Sequence, residues 1–142
     1  MYFQDPDGRI LENAYFNDSW TLEDTTLLDA SVVTDDATLG SPLAAIAYAL
    51  NGLQYRQLFY LDASGLLKTM NSTTTDSKGI ATSWSTGYAI TENAASTSGT
   101  AGLAACTDNL AMKGIRVYYG SDGDDGSDDG KIRSKSKARV DH

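Results

Sequence analysis

The sequence predicts an all-β protein built from β-propeller blades, each of which is a sheet of four antiparallel strands. The first observation is composition, because 13 glycines, eight tyrosines and abundant Ser and Thr favour strands and turns over long helices. The second observation is internal self-similarity. Segments recur after intervals of roughly 40–60 residues with about four strands in each unit, which is typical of propellers and related arrays.

The unit that defines the blade begins at residue 42. Pro42 to Ala49 is a nearly unbroken apolar run of strand length, which predicts a strand buried on both faces. Turns at Asn51-Gly52 and Ala63-Ser64-Gly65 separate it from the second and third strands. The complete blade spans 41–85, and its four predicted strands are 42–49, 57–62, 66–70 and 80–85, the last of which carries Trp84.

Copies of this unit lie on both sides of it. Tyr2 to Glu12 aligns with Phe59 to Thr69 without a gap, at an offset of 57 residues. Trp20 is echoed by Trp84, at an offset of 64. Leu43 to Ile46 is repeated as Leu103 to Cys106, at an offset of 60. A third copy of the Tyr2 to Glu12 segment begins at Tyr118-Tyr119 and ends with Gly130 to Ser134, after a longer loop.

The copies divide the chain into segments. These are a partial blade at 1–24, a complete blade at 41–85, a partial blade at 101–134 and a basic tail at 135–142, with 24–41 and 86–100 as connections. About two and a half blades cannot close a ring, so both ends would present unpaired strand edges. Two explanations stay open: several chains complete one ring as a homo-oligomer, or the sequence is a piece of a longer protein.

Charge and residue usage exclude several classes of function. The net charge of −8 argues against nucleic acid as a partner, because nucleic acids bind basic surfaces. No apolar run approaches the roughly 18 residues of a membrane span, so membrane insertion is not predicted. The absence of a signal peptide favours a cytoplasmic or non-classically secreted protein. With Cys106 and His142 as its only cysteine and histidine, the chain lacks the parts for zinc chemistry and histidine-dependent catalysis. No enzyme activity, metal or cofactor is predicted.

An acidic loop at 121–130 invites comparison with calcium-binding loops. Such loops need oxygen ligands at fixed alternating positions and a distal bidentate Glu. Gly126 stands where a third alternating acid is required, and no Glu follows it, so a solvated hairpin insertion is favoured. The alternating basic residues from Lys131 to Arg139 predict a charged edge strand or tail.

Three short motifs stand in a characteristic order: Tyr2-Phe3-Gln4-Asp5 with Gly8-Arg9-Ile10, Ser41-Pro42-Leu43-Ala44-Ala45, and Ile115-Arg116-Val117-Tyr118-Tyr119. Through these motifs the chain resembles the fungal fucose-specific lectin family over most of residues 1–134. The resemblance implies a six-bladed β-propeller, of which this chain would form less than half. It also implies L-fucose as a ligand, bound in clefts between neighbouring blades.

In that family an arginine of the second strand and a glutamate of the third strand hydrogen-bond the sugar hydroxyls. A Trp from the adjoining blade covers the apolar face of the sugar. These residue types suit the task, since a guanidinium donates, a carboxylate accepts, and an aromatic ring packs on C–H groups. The resemblance therefore implies four fucose-binding residues, Arg116, Glu12, Trp84 and Trp20.

The copies match the family pattern to different degrees. In the first copy Glu12 matches the glutamate, and the arginine would precede Met1. In the third copy Arg116 matches the arginine, and Ser134 stands at the glutamate position.

The second copy departs from the pattern at both positions. Gln57 and Thr69 replace the arginine and the glutamate. Arg56 is one residue away from the arginine position, which in a strand corresponds to the opposite face.

Two functions follow from these observations. The first is a carbohydrate-binding, lectin-like protein that recognises L-fucose or fucosylated glycans at degenerate clefts, with multivalency supplied by assembly. The alternative is a propeller scaffold or fragment that has lost sugar binding and serves structural or protein-interaction roles. A propeller glycosidase finds no support beyond the fold.

Overall fold

The computed structural model describes residues 1–13, 15–16, 18–20, 32–50, 52–74, 83–90, 102–107, 114–120 and 132–136. Every regular element in these ranges is a β-strand and every strand pairing is antiparallel, so the predicted all-β class is confirmed. Among the described residues there is no helix of the length and apolarity that crossing a membrane requires. The strands are β1 (Tyr2–Gln4), β2 (Ile10–Glu12), β3 (Tyr15–Phe16), β4 (Ser19–Trp20), β5 (Val32–Thr34), β6 (Ala44–Leu50), β7 (Leu53–Leu61), β8 (Leu67–Thr74), β9 (Ser85–Ala89), β10 (Leu103–Thr107), β11 (Ile115–Gly120) and β12 (Ile132–Ser136).

The central sheet is the four-stranded meander β6-β7-β8-β9, as expected of a complete blade. Local turn chemistry sets the register between β7 and β8. Asp62 Oδ1 accepts hydrogen bonds from the backbone N–H groups of Ser64 (2.8 Å) and Leu66 (2.9 Å). Gly65 has a φ of 75°, which glycine adopts without the steric penalty that a Cβ would bring. The turn is therefore encoded by its own residues.

Strand β6 differs from the prediction of a strand buried on both faces. Ile46 is buried, whereas Ala45, Ala47 and Ala49 are exposed. The reason is that β6 lies at one edge of the sheet, and only one of its faces is packed against another sheet. The exposed positions carry alanine, so the apolar run did not reveal the alternation.

The fourth strand of this sheet lies a few residues later than predicted. Strand β9 occupies Ser85–Ala89, so it shares only Ser85 with the predicted strand 80–85 and extends into 86–100, which was expected to be a connection; Trp84 precedes it. Its pairing with β8 has a bulge, with Met70 opposite Thr86 and Lys68 opposite Ala89. The glycine in this bulge approaches β8 closely, because a Cβ on Gly87 would collide with the side chain of Thr69.

The first sheet has the order β1-β2-β5. Asp5 Oδ1 accepts N–H groups in the β1–β2 turn, as Asp62 does in the central sheet. Strand β5 was not predicted, since 24–41 was interpreted as a connection. The pairing of β5 with β2 is repeated, 57 residues later, in the pairing of β9 with β8. Val32 lies opposite Leu11, and Ala89 lies opposite Lys68.

The remaining strands form two sheets. Strands β3 and β4 make a short hairpin in which Tyr15 lies opposite Trp20. Strands β10, β11 and β12 form a three-stranded sheet in that order. Strand β12 extends to Ser136 and so includes the start of the predicted basic tail. The acidic loop 121–130 and residues 137–142 lie outside the described residues.

The central sheet is packed on both of its faces. Alternate residues of β7 point to opposite sides, as strand geometry requires. Leu58 and Tyr60 join the core shared with the first sheet, and Phe59 and Leu61 join the core shared with the β10-β11-β12 sheet. The core towards the first sheet comprises Ile10, Val33, Leu58, Tyr60 and Met70. The core towards the third comprises Ile46, Phe59, Leu61, Leu67, Ile115, Val117 and Tyr119.

Candidate ligand site

Strand register puts Glu12, Thr69 and Ser134 at the equivalent position of three hairpins. The cross-strand pairs that share this position are Tyr2 with Glu12, Phe59 with Thr69, and Tyr118 with Ser134. The alignment of Glu12 with Thr69 and Ser134 therefore agrees with the backbone pairing. Of these positions, Glu12 supplies a carboxylate, while the other two supply hydroxyl groups.

Glu12 lies between the first sheet and the central sheet, at the edge of their shared core. The Tyr2 hydroxyl donates a hydrogen bond to Glu12 Oε1 at 3.1 Å. The Tyr2 ring meets the ring of Trp84 edge to face, with centroids 5.7 Å apart and an interplanar angle of 84°. Trp84 is half-buried and packs against the same core. Two of the four predicted site residues, Glu12 and Trp84, are thus brought together through Tyr2.

Arg56 is the residue that sequence reasoning set aside. It does point to the face opposite that of Gln57, but that face is packed against the first sheet. Arg56 Nη1 forms an ion pair with Glu12 Oε1 at 2.9 Å, and the two side chains are 13% and 12% exposed. Pairing across a cleft between sheets leaves no mark in either strand's sequence, so no local signal could have found it. Tyr2, Glu12, Arg56 and Trp84 are called the Glu12 cleft below.

The electrostatics of the Glu12 cleft favour a neutral Tyr2. Burial raises the pKa of the Tyr2 phenol well above its ordinary value, and the neighbouring Glu12 carboxylate raises this pKa further. The phenol therefore keeps its proton and donates to Glu12. Because the charges of Arg56 and Glu12 compensate each other, the cleft as a whole is uncharged, with both donors and acceptors on its walls.

Arg116 lies elsewhere. On β11, Ile115 and Val117 are buried against the central sheet, so Arg116 between them points to the other face, where it is exposed. Its cross-strand partner Cys106 is also exposed. The third sheet thus separates Arg116 from Glu12, and the two residues cannot contact one ligand molecule within this chain.

Trp20 is placed only by its backbone. It pairs with Tyr15 in the β3–β4 hairpin, and its side chain lies outside the described residues. The pairings of β5 and β9 repeat at an offset of 57 residues, whereas Trp20 and Trp84 are 64 residues apart. The equivalence of the two tryptophans stays a prediction.

The cleft between the central and third sheets has a different chemistry. Gln57 lies opposite Asn71, and Thr69 is next on the same face. Asn71 Oδ1 is buried and has no hydrogen-bond partner among the described residues. These amides and the hydroxyl offer neutral donors and acceptors where the first cleft has an ion pair. Across the described part of the chain, no group of three acidic, cysteine or histidine residues is arranged to hold a metal ion.

Comparison with protein-family models and with curated proteins finds no match. Three solved lectin structures do match. A fucose-specific lectin from Aleuria aurantia, in a mercury-derivative form, has a TM-score of 0.69 and 25% identity over 97% of this chain. A structure described as a six-bladed β-propeller lectin with a novel fucose recognition mode has a TM-score of 0.62 and 26% identity over 96%. A point mutant of the Aleuria aurantia lectin, in complex with α-methyl-L-fucoside, has a TM-score of 0.61 and 25% identity over 96%.

The match covers this chain almost completely but only part of each lectin. The chain spans 40%, 43% and 42% of the lengths of the three lectin chains. Its antiparallel sheets and their packing correspond to less than half of a six-bladed ring. The chain is therefore a set of β-propeller blades of the kind found in the fungal fucose-specific lectins.

Proposed function

We propose that this chain is a carbohydrate-binding, lectin-like protein without enzymatic activity, and that it recognises L-fucose or fucosylated glycans in the Glu12 cleft. The observation that carries the proposal is the Glu12–Tyr2–Trp84 arrangement, in which a carboxylate and an indole both contact one tyrosine between two sheets. The similar solved structures are described as fucose-specific lectins, and one holds α-methyl-L-fucoside, which supports the same class of ligand.

The chemistry of the Glu12 cleft suits a deoxy sugar. The Glu12 carboxylate accepts hydrogen bonds from sugar hydroxyls, and charge-assisted bonds of this kind are stronger than neutral ones. The indole of Trp84 offers an aromatic surface to the C–H groups of a sugar, and the 6-methyl group of L-fucose adds to those groups. A few convergent polar groups beside an aromatic wall give orientation and specificity together.

Assembly is the second part of the proposal. Arg116, exposed on the outer face of the third sheet, would form a site only against a further blade. Such a blade would come from a second copy of the chain in a homo-oligomer, or from a longer chain. Several weak sites on one ring would then raise avidity without any new contact at each site.

A scaffold that has lost sugar binding is the alternative function. The observation that favours it is the ion pair itself, since Arg56 occupies an oxygen of Glu12 that a sugar hydroxyl would use. Thr69 and Ser134, which stand in the equivalent positions, add no carboxylate.

A glycan-array screen of the size-checked protein, with free L-fucose as competitor, decides between the two functions. Binding to fucosylated glycans that L-fucose abolishes, and that Glu12→Ala and Trp84→Ala each weaken at least tenfold, supports the lectin. The control is Asp7→Ala, an exposed acid in the β1–β2 turn, which should bind as the unmodified protein does. A blank array from folded protein supports the scaffold, and light scattering on the same sample measures the oligomeric state.

A further inference from the structure

Two hydrogen bonds to the Glu12 carboxylate converge on one oxygen atom. The Tyr2 hydroxyl donates to Glu12 Oε1 at 3.1 Å, and Arg56 Nη1 donates to the same oxygen at 2.9 Å. A carboxylate oxygen has two lone pairs, so these two donors use both of them. No sugar hydroxyl can donate to Glu12 Oε1 while Arg56 holds it.

The same ion pair brings the two walls of the site into contact. Glu12 belongs to β2 of the first sheet and Arg56 to β7 of the central sheet. Their side chains are only 12% and 13% exposed, and the 2.9 Å contact leaves no space for a sugar ring between the two charged groups. The Glu12 cleft is therefore closed by the guanidinium of Arg56.

Arg56 stands at the boundary between the core and the solvent. Along β7 the residues that face the first sheet are Tyr60 and Leu58, which are buried in the shared core, then Arg56, and then Gln54, which is exposed. The core residues hold the two sheets together whether or not Arg56 contacts Glu12. The guanidinium can therefore leave Glu12 without separation of the sheets.

An open surface lies beside Arg56. Its cross-strand partner on β6 is Ala47, and the same face of β6 carries Ala45 and Ala49. All three alanines are exposed, and this surface is called the alanine face below. Methyl groups occupy little space, so the arginine can lay its aliphatic stem over them and keep its guanidinium in water. The central sheet thus offers Arg56 a second position.

We propose that the Arg56–Glu12 ion pair is an autoinhibitory contact, which closes the Glu12 cleft and is released when Arg56 moves onto the alanine face. The lone pair that Arg56 vacates on Glu12 Oε1 then accepts a hydroxyl group of the ligand, while Tyr2 keeps its hydrogen bond. This inference rests on the proposed function, since it concerns the regulation of the same site. It adds that the sugar competes with Arg56, so the ion pair lowers the affinity.

The sign of the effect on affinity distinguishes this role from ligand binding. A ligand that binds only the open form has its apparent affinity reduced by the fraction of molecules that are open. Removal of the guanidinium leaves the cleft open in every molecule, so the affinity should rise. An arginine that hydrogen-bonded the ligand would show the opposite sign, because its removal would lower the affinity.

The test is isothermal titration calorimetry of the protein with α-methyl-L-fucoside. The variants are Arg56→Met, which removes the charge at similar side-chain volume, and Arg56→Gln, which removes the charge and keeps a shorter polar side chain. The control is Gln54→Ala, an exposed residue two positions away on the same face of β7. Thermal unfolding of each sample is measured alongside the titration and shows whether the variant is folded.

Arg56→Met should bind the fucoside about tenfold more tightly than the parent protein, and Arg56→Gln about threefold more tightly. Gln54→Ala should bind as the parent protein does. Binding by Arg56→Met where the parent protein shows none would support the inference as well. Arg56→Met should also unfold at a lower temperature, because it leaves Glu12 buried without its counter-charge. Higher affinity at lower stability is a combination that a merely structural arginine would not give.

The contrary outcomes separate this inference from the proposed function. If the parent protein binds the fucoside and both Arg56 variants bind it equally well or more weakly, this inference is overturned and the proposed function stands. An equal gain in Gln54→Ala would also overturn it, since the gain would not come from the ion pair. If the folded parent protein and the folded variants all bind no sugar, the proposed function fails and this inference fails with it. Should Arg56→Met not fold, Arg56→Gln decides by the same comparison.

Discussion

The ion pair between Glu12 and Arg56 should be a measurable link between the first and central sheets. At 2.9 Å, two unit charges attract each other by about 6 kcal/mol in an effective dielectric of about 20. Desolvation of two side chains that are 13% and 12% exposed offsets much of this attraction. Coupling energies of close charge pairs at protein interfaces start near 1.5 kcal/mol, and exposed pairs give about 0.2–1 kcal/mol. We expect a coupling of about 2 kcal/mol.

A double-mutant cycle of Glu12→Gln, Arg56→Met and the double variant measures this coupling. Both replacements keep most of the side-chain volume, so packing against the core changes little. The free energy of unfolding is obtained from urea denaturation by linear extrapolation. Arg56→Met alone should cost about 3 kcal/mol, since it leaves the Glu12 carboxylate buried without its counter-charge. The double variant should recover part of that loss.

A matched control cycle uses a more exposed pair, Arg9 with Asp7. Their atoms are 3.5 Å apart, and the side chains are 32% and 78% exposed, so their coupling should stay below about 0.5 kcal/mol. Adding about 0.5 M salt should weaken the control pair more than the pair in the cleft, because buried charges are screened less. A coupling for Glu12 and Arg56 as small as that of the control would refute the assignment of a buried ion pair between sheets.

Three further predictions concern the central sheet. Gly87→Ala should lower the free energy of unfolding in urea by about 1–3 kcal/mol, because a methyl group at this position collides with Thr69. The control is Gly52→Ala, where a Cβ meets open space, so that variant tests the effect of backbone strain alone. Burial alone would raise the pKa of Asp62, but hydrogen bonds from Lys68 and two backbone N–H groups outweigh it and lower this pKa below its ordinary 3.8. The Asp62 carboxylate therefore adds stability above pH 3.8, and this stability is lost as the pH falls through the lowered pKa. Acid denaturation of Asp62→Asn, measured in parallel, should lack this loss. Hydrogen bonds to Asp36 and Asp62 raise the pKa of Lys68 above its ordinary 10.5. The stability that Lys68 contributes is therefore complete below pH 10.5 and is lost as the pH rises towards the raised pKa. The Tm should fall less steeply between about pH 9 and about 12 for Lys68→Met than for the unmodified protein, and equal slopes would contradict the assignment.

The two clefts of this chain suggest how sites diverge within one fold. Register gives Glu12 and Thr69 the same position, yet one joins an ion pair and the other contacts the glycine of a bulge. The difference arises on the facing wall, because the first cleft receives Arg56 from the neighbouring sheet. Substituting a single residue of a blade therefore changes the site on one of its sides and leaves the other side intact, since alternate strand residues face different clefts.

Local chemistry is what the sequence by itself determined. The Asp and Gly residues of the β1–β2 and β7–β8 turns fix two hairpins, and hairpin register follows from the turn. The equivalence of Glu12 with Thr69 and the all-β class were predictable for this reason. Strands β5 and β9 were missed or misplaced, because each is joined to the strand it pairs with by a longer segment and not by a tight turn.

The tertiary structure alone decided which faces meet. Strand alternation told us that Arg56 and Gln57 point in opposite directions, but not that the face of Arg56 meets Glu12, 44 residues earlier in the chain. In the same way, only the packing of Ile115 and Val117 on the central sheet places Arg116 on the far face of the third sheet, away from Glu12. The physical reason is that the interactions which form a strand are local, whereas the contacts that form a cleft depend on how separate sheets pack around shared cores.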